Sequence, residues 1–370
     1  MQLTFLGNTG LRVSELCLGA MTFGTESGWG ADEATSRTMF GAFDDAGGNF
    51  IDTADAYTNG TSERMLGSFL KGRRDRFVVG TKYTVSSDRT DPNAGGNHRK
   101  NMTRSLEGSL DRLGTDYVDL YWVHVWDGFT PIEETVRALD DAVRAGKVLH
   151  IGFSDVPAWL VARADAIAEL AHFTRPAAIQ VEYNLAQREA ERELIPMAEA
   201  LGMSVLDWSP LGGGALSGKL LDSAEPEGYE GRVASGAVPR AFDKYKGDRA
   251  TVITKELVAA AAELGCTPAQ LAIAWLRQRS PAHIPIIGAR SLTHLRDNLG
   301  AVHIEIPEGV ATRLDNISRI DLGFPHDFVR NGWPDWYGDV PSRMDPRVRT
   351  VGRRALGLDE GAPLGDRPQP

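Results

Sequence analysis

Residues 49–57 have the sequence NFIDTADAY, in which a short apolar run leads directly into acidic and polar side chains. Similar apolar runs recur along the chain, and they are continuous rather than strict alternations of apolar and polar residues. Continuous runs are typical of strands that are buried on both faces, as in a parallel sheet. We predict strands at Leu16–Ala20, Asn49–Thr53, Phe77–Lys82, Val118–His124, His150–Ser154, Ala178–Tyr183, Ser204–Ser209 and Ile284–Ala289.

Helical segments separate these strands. Apolar residues recur at helical spacing in segments 32–46, 61–71, 97–112, 156–171, 187–201, 248–264 and 307–318. Two further helices should begin at Thr130 and Thr267, because each Thr is followed by Pro and, three residues on, by Glu or Gln. Gly146 should end the first of these helices. Repeated strand–helix alternation predicts an α/β fold, a (β/α)8 TIM barrel, and a doubly wound sheet is the alternative.

Some regions lie outside a minimal barrel. Gln2–Leu6 and Leu11–Leu16 flank a short turn and predict an N-terminal β-hairpin. Ser223–Asp248, rich in Gly, Glu and Arg, should be a long surface loop. We assign residues 1–320 to the barrel domain and 321–370 to a C-terminal tail. The first part of the tail should pack near the substrate site, and its end should be mobile.

Composition narrows the function classes. The chain has 370 residues, 42% hydrophobic and 24% charged, which excludes a disordered, collagen-like or coiled-coil protein. Its net charge of −10 argues against a nucleic-acid partner. It has no apolar run long enough for a membrane span and no signal-peptide pattern at the start, so we expect no membrane partner and a cytoplasmic protein. Two cysteines cannot build a disulfide framework.

Four side chains that can hydrogen-bond or titrate should meet at one face of the barrel. Asp52, Lys82 and His124 end three consecutive predicted strands, and Tyr57 follows Asp52 by five residues. The carboxyl ends of barrel strands carry the chemistry. Tyrosine has an unperturbed pKa of about 10, and a nearby ammonium would lower it. Lys82 could supply that ammonium, Asp52 could keep it charged, and His124 could donate to a substrate oxygen. Tyr57 would then be a general acid for a carbonyl that is being reduced.

Two later loops are candidate ligand sites. Gly212, Gly213 and Gly214 would let a backbone approach a ligand closely, and Lys219 adds a cation. This loop almost matches a phosphate-binding P-loop, but it lacks the Ser or Thr that binds magnesium, and a flexible loop is the alternative. Arg290 follows the last strand, where barrels often bind phosphate. An ordinary helix start with one exposed Arg is equally compatible with this segment.

Several motifs together resemble those of the aldo-keto reductases. They are LCLGAMTFG at 16–24, NFIDTADAY at 49–57, VGTKY at 79–83, DLYWVH at 119–124, IGFSD at 151–155, IQVEYN at 179–184, DWSPLGGGALSGK at 207–219 and PIIGARSLTHLRDN at 285–298. The resemblance runs from about residue 1 to 320, in order and with the spacing of the family.

The resemblance implies a TIM-barrel oxidoreductase that reduces aldehydes and ketones by hydride transfer from NADPH, without a metal. NADH remains possible, since the preference for NADPH rests on Arg290 and His294. The family's catalytic tetrad falls on Asp52, Tyr57, Lys82 and His124. Its cofactor contacts fall on Gly19, Ala20, Met21, Asp52, Ser154, Asp155, Gln180, Trp208, Ser209, Pro210, Leu211, Gly212, Gly213, Gly214, Lys219, Gly288, Arg290, His294, Asp297 and Asn298. We expect Trp29, Tyr83, Trp126 and Phe129 to form the substrate wall, with Trp333 or Trp336 from the tail, which favours ring-bearing carbonyls.

Other functions compete with this one. Many family members have Asn where this chain has Asp155, and aspartate lacks the amide donor. An aldolase would use Lys82 as a Schiff-base nucleophile, but a carboxylate partner would keep that lysine protonated. A metallohydrolase is disfavoured, because no His pair has metal-ligand spacing. A cofactor-sensing protein like the potassium-channel β-subunits, with little turnover, also fits. The partner is expected to be a small carbonyl substrate, and the protein a monomer or homo-oligomer.

Overall fold

The computed structural model describes residues 1–26, 28, 30–219, 221, 244–245 and 247–337. Most of the predicted surface loop and residues 338–370 of the predicted tail lie outside this described part. Trp29 and the side chain of Trp333 also lie outside it.

Eight parallel strands close into a barrel, which confirms the predicted TIM barrel and excludes a doubly wound sheet. An antiparallel hairpin of β1 (Leu3–Phe5) and β2 (Arg12–Ser14) precedes it, also as predicted. The barrel strands are β3 (Cys17–Gly19), β4 (Phe50–Asp52), β5 (Val78–Tyr83), β6 (Val118–Val123), β7 (Val148–Ser154), β8 (Pro176–Glu182), β9 (Ser204–Trp208) and β10 (His283–Ile287). They pair in chain order, and β10 closes the barrel by pairing with both β9 and β3.

Alternate residues of the strands face the barrel interior and the surrounding helices. Leu120 and Trp122 of β6 pack inside the barrel, whereas Tyr121 packs in the outer core between sheet and helices. This two-residue period explains why the strand sequences are continuously apolar. Leu6 and Val13 of the hairpin segment are fully buried in the same cluster as Leu120, so the hairpin covers one end of the barrel.

The helices surround the barrel. In chain order they are α1 (Glu33–Asp45), α2 (Thr61–Leu70), α3 (Arg99–Leu113), α4 (Ile132–Arg144), α5 (Ala158–Ala171), α6 (Leu194–Leu201), α7 (Asp248–Leu264), α8 (Pro268–Arg277), α9 (Leu292–Leu299), α10 (Glu308–Ser318) and α11 (His326–Tyr337). Most begin and end within two residues of the predicted positions.

Two predictions about helices were wrong. Thr130 is not an N-cap, because its hydroxyl donates to Asp127 instead, and α4 begins two residues later. The segment 187–201 is not one helix: a short 3-10 turn precedes α6, since Pro196 cannot donate to the carbonyl of Arg192 and would clash with it. The tail also contains a helix, α11, which the sequence pattern did not predict.

Two helices, α7 and α8, fill the long connection between β9 and β10. Thr267 and Gln270 form the predicted reciprocal capping box at the start of α8. In the described part of the chain, no single helix is long and apolar enough to cross a membrane. Only α7 and α8 taken together meet that length and composition, with a bend of 94° between them.

Candidate active site

Four predicted catalytic side chains meet where the strands of the barrel end. Asp52 is the last residue of β4, Lys82 the next to last of β5, and His124 follows β6 directly. Tyr57 begins a 3-10 turn that leads from β4 to α2. Neighbouring parallel strands end on the same side of a sheet, and this brings the four together.

Lys82 is the centre of this group. Its side chain is fully buried, and its Nζ forms an ion pair with Asp52 Oδ2. The same Nζ donates to the carbonyl oxygen of Thr53 at 2.7 Å and to the Tyr57 hydroxyl at 3.2 Å. Gln180 Nε2 donates to Asp52 Oδ1 at 3.0 Å, so both oxygens of the Asp52 carboxylate are engaged. These contacts hold the ammonium within hydrogen-bonding distance of the tyrosine hydroxyl.

The electrostatics keep Lys82 charged and His124 neutral. Burial by itself lowers the pKa of Lys82, but the Asp52 carboxylate and Tyr57 raise it, and the net pKa lies above the ordinary value. Burial and the nearby Lys82 lower the pKa of His124 to about 3. Its ring meets that of Tyr57 edge-on at 5.8 Å, and among the described residues its Nδ1 has no partner. A neutral imidazole can donate one hydrogen bond to a substrate oxygen.

A cavity of about 660 Å³ runs from this group across the carboxyl ends of the strands. Its volume falls within the usual range for small-molecule sites. Tyr57 and His124 lie in its wall, and so do Arg290, after the last strand, and His294 of α9. The glycine loop after β9 also lines the cavity.

The glycine loop adopts a backbone that most residues avoid. Ser209 has a φ of 56°, and Gly213 and Gly214 have φ values of 67° and 105°. Left-handed backbone of this kind favours glycine. Gly213 N donates to Ser209 Oγ at 3.1 Å, which links the two ends of the turn. The loop therefore presents backbone, without side chains, to the cavity at both glycines.

Two cationic side chains, Lys219 and Arg290, lie close enough to His294 to affect its pKa. Burial, Lys219 and Arg290 together lower the pKa of His294. Ser291 caps α9 by accepting from His294 N at 3.3 Å, so the N-terminal end of α9 faces the same region. Cations that depress the pKa of a neighbouring histidine would be stabilised by an anion. This end of the cavity suits a phosphate.

Asp155 and Trp208 form a hydrogen-bonded pair in the cavity wall. Trp208 Nε1 donates to Asp155 Oδ1 at 3.1 Å. Desolvation raises the pKa of Asp155 to about 6, and the hydrogen bond from Trp208 lowers that pKa by a smaller amount. The residue itself is partly open to solvent at the edge of the cavity. The carboxyl therefore changes its protonation state near pH 6, which an asparagine at this position would not do.

Most predicted cofactor contacts line the cavity. Those that do are Gly19, Met21, Asp52, Ser154, Asp155, Gln180, Trp208, Ser209, Pro210, Leu211, Gly213, Gly214, Lys219, Gly288, Arg290, His294, Asp297 and Asn298. Ala20 and Gly212 are buried beside it. Asp297 accepts from the Thr267 hydroxyl, and Asn298 Nδ2 donates to the carbonyl oxygen of Gly288 at 3.1 Å.

The predicted substrate-wall residues that the structure describes, Tyr83, Trp126, Phe129 and Trp336, do not line the cavity. Tyr83 does not belong to it: the residue is fully buried, its hydroxyl donates to Asn97 O at 3.1 Å, and its ring stacks on Tyr121. Because Lys82 points into the barrel, its neighbour on the strand must point outward. Trp126 and Phe129 are exposed in the loop after His124, and Trp29 lies outside the described residues.

Sequence reasoning missed part of the cavity wall. Thr22, Ser217, Thr267, Pro268, Ala269, Ile286 and Ala289 also line it. Thr267 was recognised only as a helix cap, and its contact with Asp297 spans 30 residues, which no local pattern reveals. No group of three or more His, Cys, Asp or Glu side chains that could hold a metal occurs in the described part of the chain.

Comparison with known proteins agrees with this geometry. A sequence model described as the aldo/keto reductase family matches residues 15–319. The chain is 36% identical to a norsolorinic acid reductase of Aspergillus flavus, over 87% of this chain and 82% of that protein. It is also 36% identical to an aryl-alcohol dehydrogenase [NADP(+)] of Phanerodontia chrysosporium, over 87% of each chain. A probable aryl-alcohol dehydrogenase of Saccharomyces cerevisiae is 35% identical over 79% of this chain and 90% of its own. The chain belongs to the aldo/keto reductase family and is an oxidoreductase.

Proposed function

We propose that this protein reduces aldehydes or ketones to alcohols with NADPH, and that Tyr57 is the general acid. The observation that carries the proposal is the position of Lys82 Nζ, which contacts both the Asp52 carboxylate and the Tyr57 hydroxyl beside the cavity. A buried ammonium beside a tyrosine hydroxyl is suited to giving a proton to an oxygen that becomes negative.

The residues along the cavity fit a nicotinamide dinucleotide. Gln180 uses its amide nitrogen on Asp52, so its amide oxygen is the atom that would accept from the carboxamide, beside Ser154 and Asp155. The Trp208 ring would stack on the nicotinamide. The glycine loop would receive the pyrophosphate. The cations around His294, chiefly Arg290, would hold the 2′-phosphate and favour NADPH over NADH.

The bound cofactor supplies the hydride, and the protein's own side chains handle the proton. Tyr57 donates its proton to the carbonyl oxygen, and Lys82 stabilises the phenolate that remains. Asp52 keeps Lys82 charged, which also disfavours a Schiff-base aldolase because an ammonium is not a nucleophile. His124, neutral at physiological pH, donates to the same carbonyl oxygen and orients it.

We propose aromatic carbonyls as the substrate class. Trp126, two residues after His124, is partly exposed and meets Trp159 of α5 edge-on at 6.1 Å. Trp126 lies in the loop after His124, and Trp159 lies in the first turn of α5, four residues beyond Asp155; His124 and Asp155 both line the cavity. Exposed aromatic side chains next to a site favour flat, apolar ligands. The name of one relative, an aryl-alcohol dehydrogenase, supports this class.

The test is a titration followed by turnover. The purified protein is titrated with NADPH and with NADH by fluorescence. Aromatic aldehydes, quinones and sugars are then added while the absorbance of the reduced nicotinamide is followed. Tight NADPH binding with turnover of aromatic aldehydes supports the proposal. Tight binding without turnover of any carbonyl would instead favour a cofactor-sensing protein, and failure to bind either cofactor would refute both functions.

A further inference from the structure

Tyr245 lies behind the glycine loop and has no part in the chemistry proposed above. It is only 3% exposed. A Cβ added at Gly212 would come within 3.0 Å of its ring, so ring and loop backbone are in close contact. Leu211 and Gly213 line the cavity, whereas Gly212 between them is buried against Tyr245. The loop therefore has the cavity on one side and the tyrosine ring on the other.

The Tyr245 hydroxyl is tied to the end of β8. It donates to Glu182 Oε1 at 2.6 Å and accepts from Asn184 Nδ2 at 2.9 Å. The same Asn184 nitrogen donates to the carbonyl oxygen of Ser209 at 2.9 Å, where the loop begins. Lys244 pairs with the second carboxylate oxygen of Glu182. The Tyr245 hydroxyl is thus linked to Glu182 at the end of β8 and, through Asn184, to Ser209 at the start of the loop.

The same contacts reach the residue proposed to stack on the nicotinamide. Glu182 of β8 lies opposite Trp208 of β9 in the strand register. Tyr245 and Ala215 form one apolar cluster, and Trp208 packs against this cluster. Tyr245 therefore contacts the loop backbone at Gly212 and belongs to the cluster on which Trp208 packs.

A loop rich in left-handed glycines has many conformations to lose when a ligand orders it. Contacts that hold the bound conformation before the ligand arrives reduce that loss and slow dissociation. We propose that Tyr245, held by Glu182 and Asn184, is a positioning residue that fixes the glycine loop in the conformation that receives the pyrophosphate, and so sets the rate at which the dinucleotide leaves. This inference rests on the proposed function, because it takes that loop as the pyrophosphate site.

The test compares Tyr245→Phe with a matched control. Tyr117→Phe also removes a hydroxyl bonded to a carboxylate, that of Asp75 at 2.9 Å, but Tyr117 precedes β6 and lies at the opposite end of the barrel. NADPH release is measured by stopped-flow fluorescence. We expect about 10-fold faster release from Tyr245→Phe, the order of one hydrogen bond to a charged group, and no change in Tyr117→Phe.

Two further readouts separate positioning from general loosening. The single-turnover hydride-transfer rate of Tyr245→Phe should equal that of the wild type. Binding of adenosine 2′-phosphate, which has no pyrophosphate, should also be unchanged. Unchanged NADPH release, or an equal weakening of adenosine 2′-phosphate, would overturn the positioning role. A wild-type protein that binds neither ligand would overturn the proposed function itself.

A second variant keeps the test informative if Tyr245→Phe fails to fold. Glu182→Gln keeps the side-chain volume and replaces the charged acceptor of the Tyr245 hydroxyl by a neutral one. It should also speed release, and the double variant should be no faster than Tyr245→Phe, because without that hydroxyl no bond to Glu182 remains to be weakened. Additive effects in the double variant would show that the two residues act independently, which contradicts the inference.

Discussion

Replacing Lys82 by methionine would separate the structural role of the buried ion pair from its proposed chemical role. The Lys82 side chain is fully buried and donates to three acceptors. Its partner Asp52 is 3% exposed, so the variant leaves a carboxylate buried without its countercharge. Breaking a buried pair in this way costs about 3–5 kcal/mol of the free energy of unfolding. Loss of assisted proton transfer should in addition lower the turnover rate about 10²–10⁴-fold.

The double variant Lys82→Met with Asp52→Asn supplies the control. It has no buried charge at this position, so it should recover most of the lost free energy of unfolding, measured by urea denaturation with tryptophan fluorescence. Its single-turnover rate of carbonyl reduction should stay as low as that of Lys82→Met. A double variant that recovers turnover together with stability would refute the chemical role of Lys82, because the loss in the single variant would then be one of folding.

Two further predictions concern the cofactor. Arg290→Ala should weaken the binding of NADPH about 10-fold or more, which is the order of a charge-assisted hydrogen bond. The binding of NADH should weaken much less. Equal weakening of both cofactors in fluorescence titrations would exclude Arg290 as the 2′-phosphate contact. Because the pKa of Asp155 is raised to about 6, its carboxyl is protonated below that pH and can then donate to the carboxamide as an asparagine would. NADH affinity should therefore rise as the pH falls through about 6 in the wild type and stay flat in Asp155→Asn; NADH is used since it has no 2′-phosphate to titrate. The same step in both proteins would assign it to another group.

Local pattern was enough to predict the barrel and the meeting of the four side chains proposed to be catalytic. Asp52, Lys82 and His124 were found because each ends a buried apolar run, and such ends meet on one side of a parallel barrel. Strand direction also decides which neighbour faces the site, and the two-residue period applied to Lys82 would have excluded Tyr83 from the substrate wall.

Contacts between distant segments could not be predicted in this way. Thr267 reaches Asp297 across α8 and α9, and Tyr245 reaches Glu182 across 63 residues. Neither segment carries a motif that signals the contact. Tertiary neighbours decide such side-chain partners. The cap at Thr130 failed for a different, local reason: the carboxylate of Asp127, three residues earlier, binds its hydroxyl.

Single-turnover reduction of an aromatic aldehyde by NADPH, in the wild type and in Tyr57→Phe, tests the central claim most directly. NADPH affinity is measured in both proteins by fluorescence titration. We predict equal NADPH affinity and a hydride-transfer rate about 10²–10⁴-fold lower in the variant, because the general acid is lost while the cofactor site remains. A Tyr57→Phe protein that reduces the aldehyde at the wild-type rate would contradict the account.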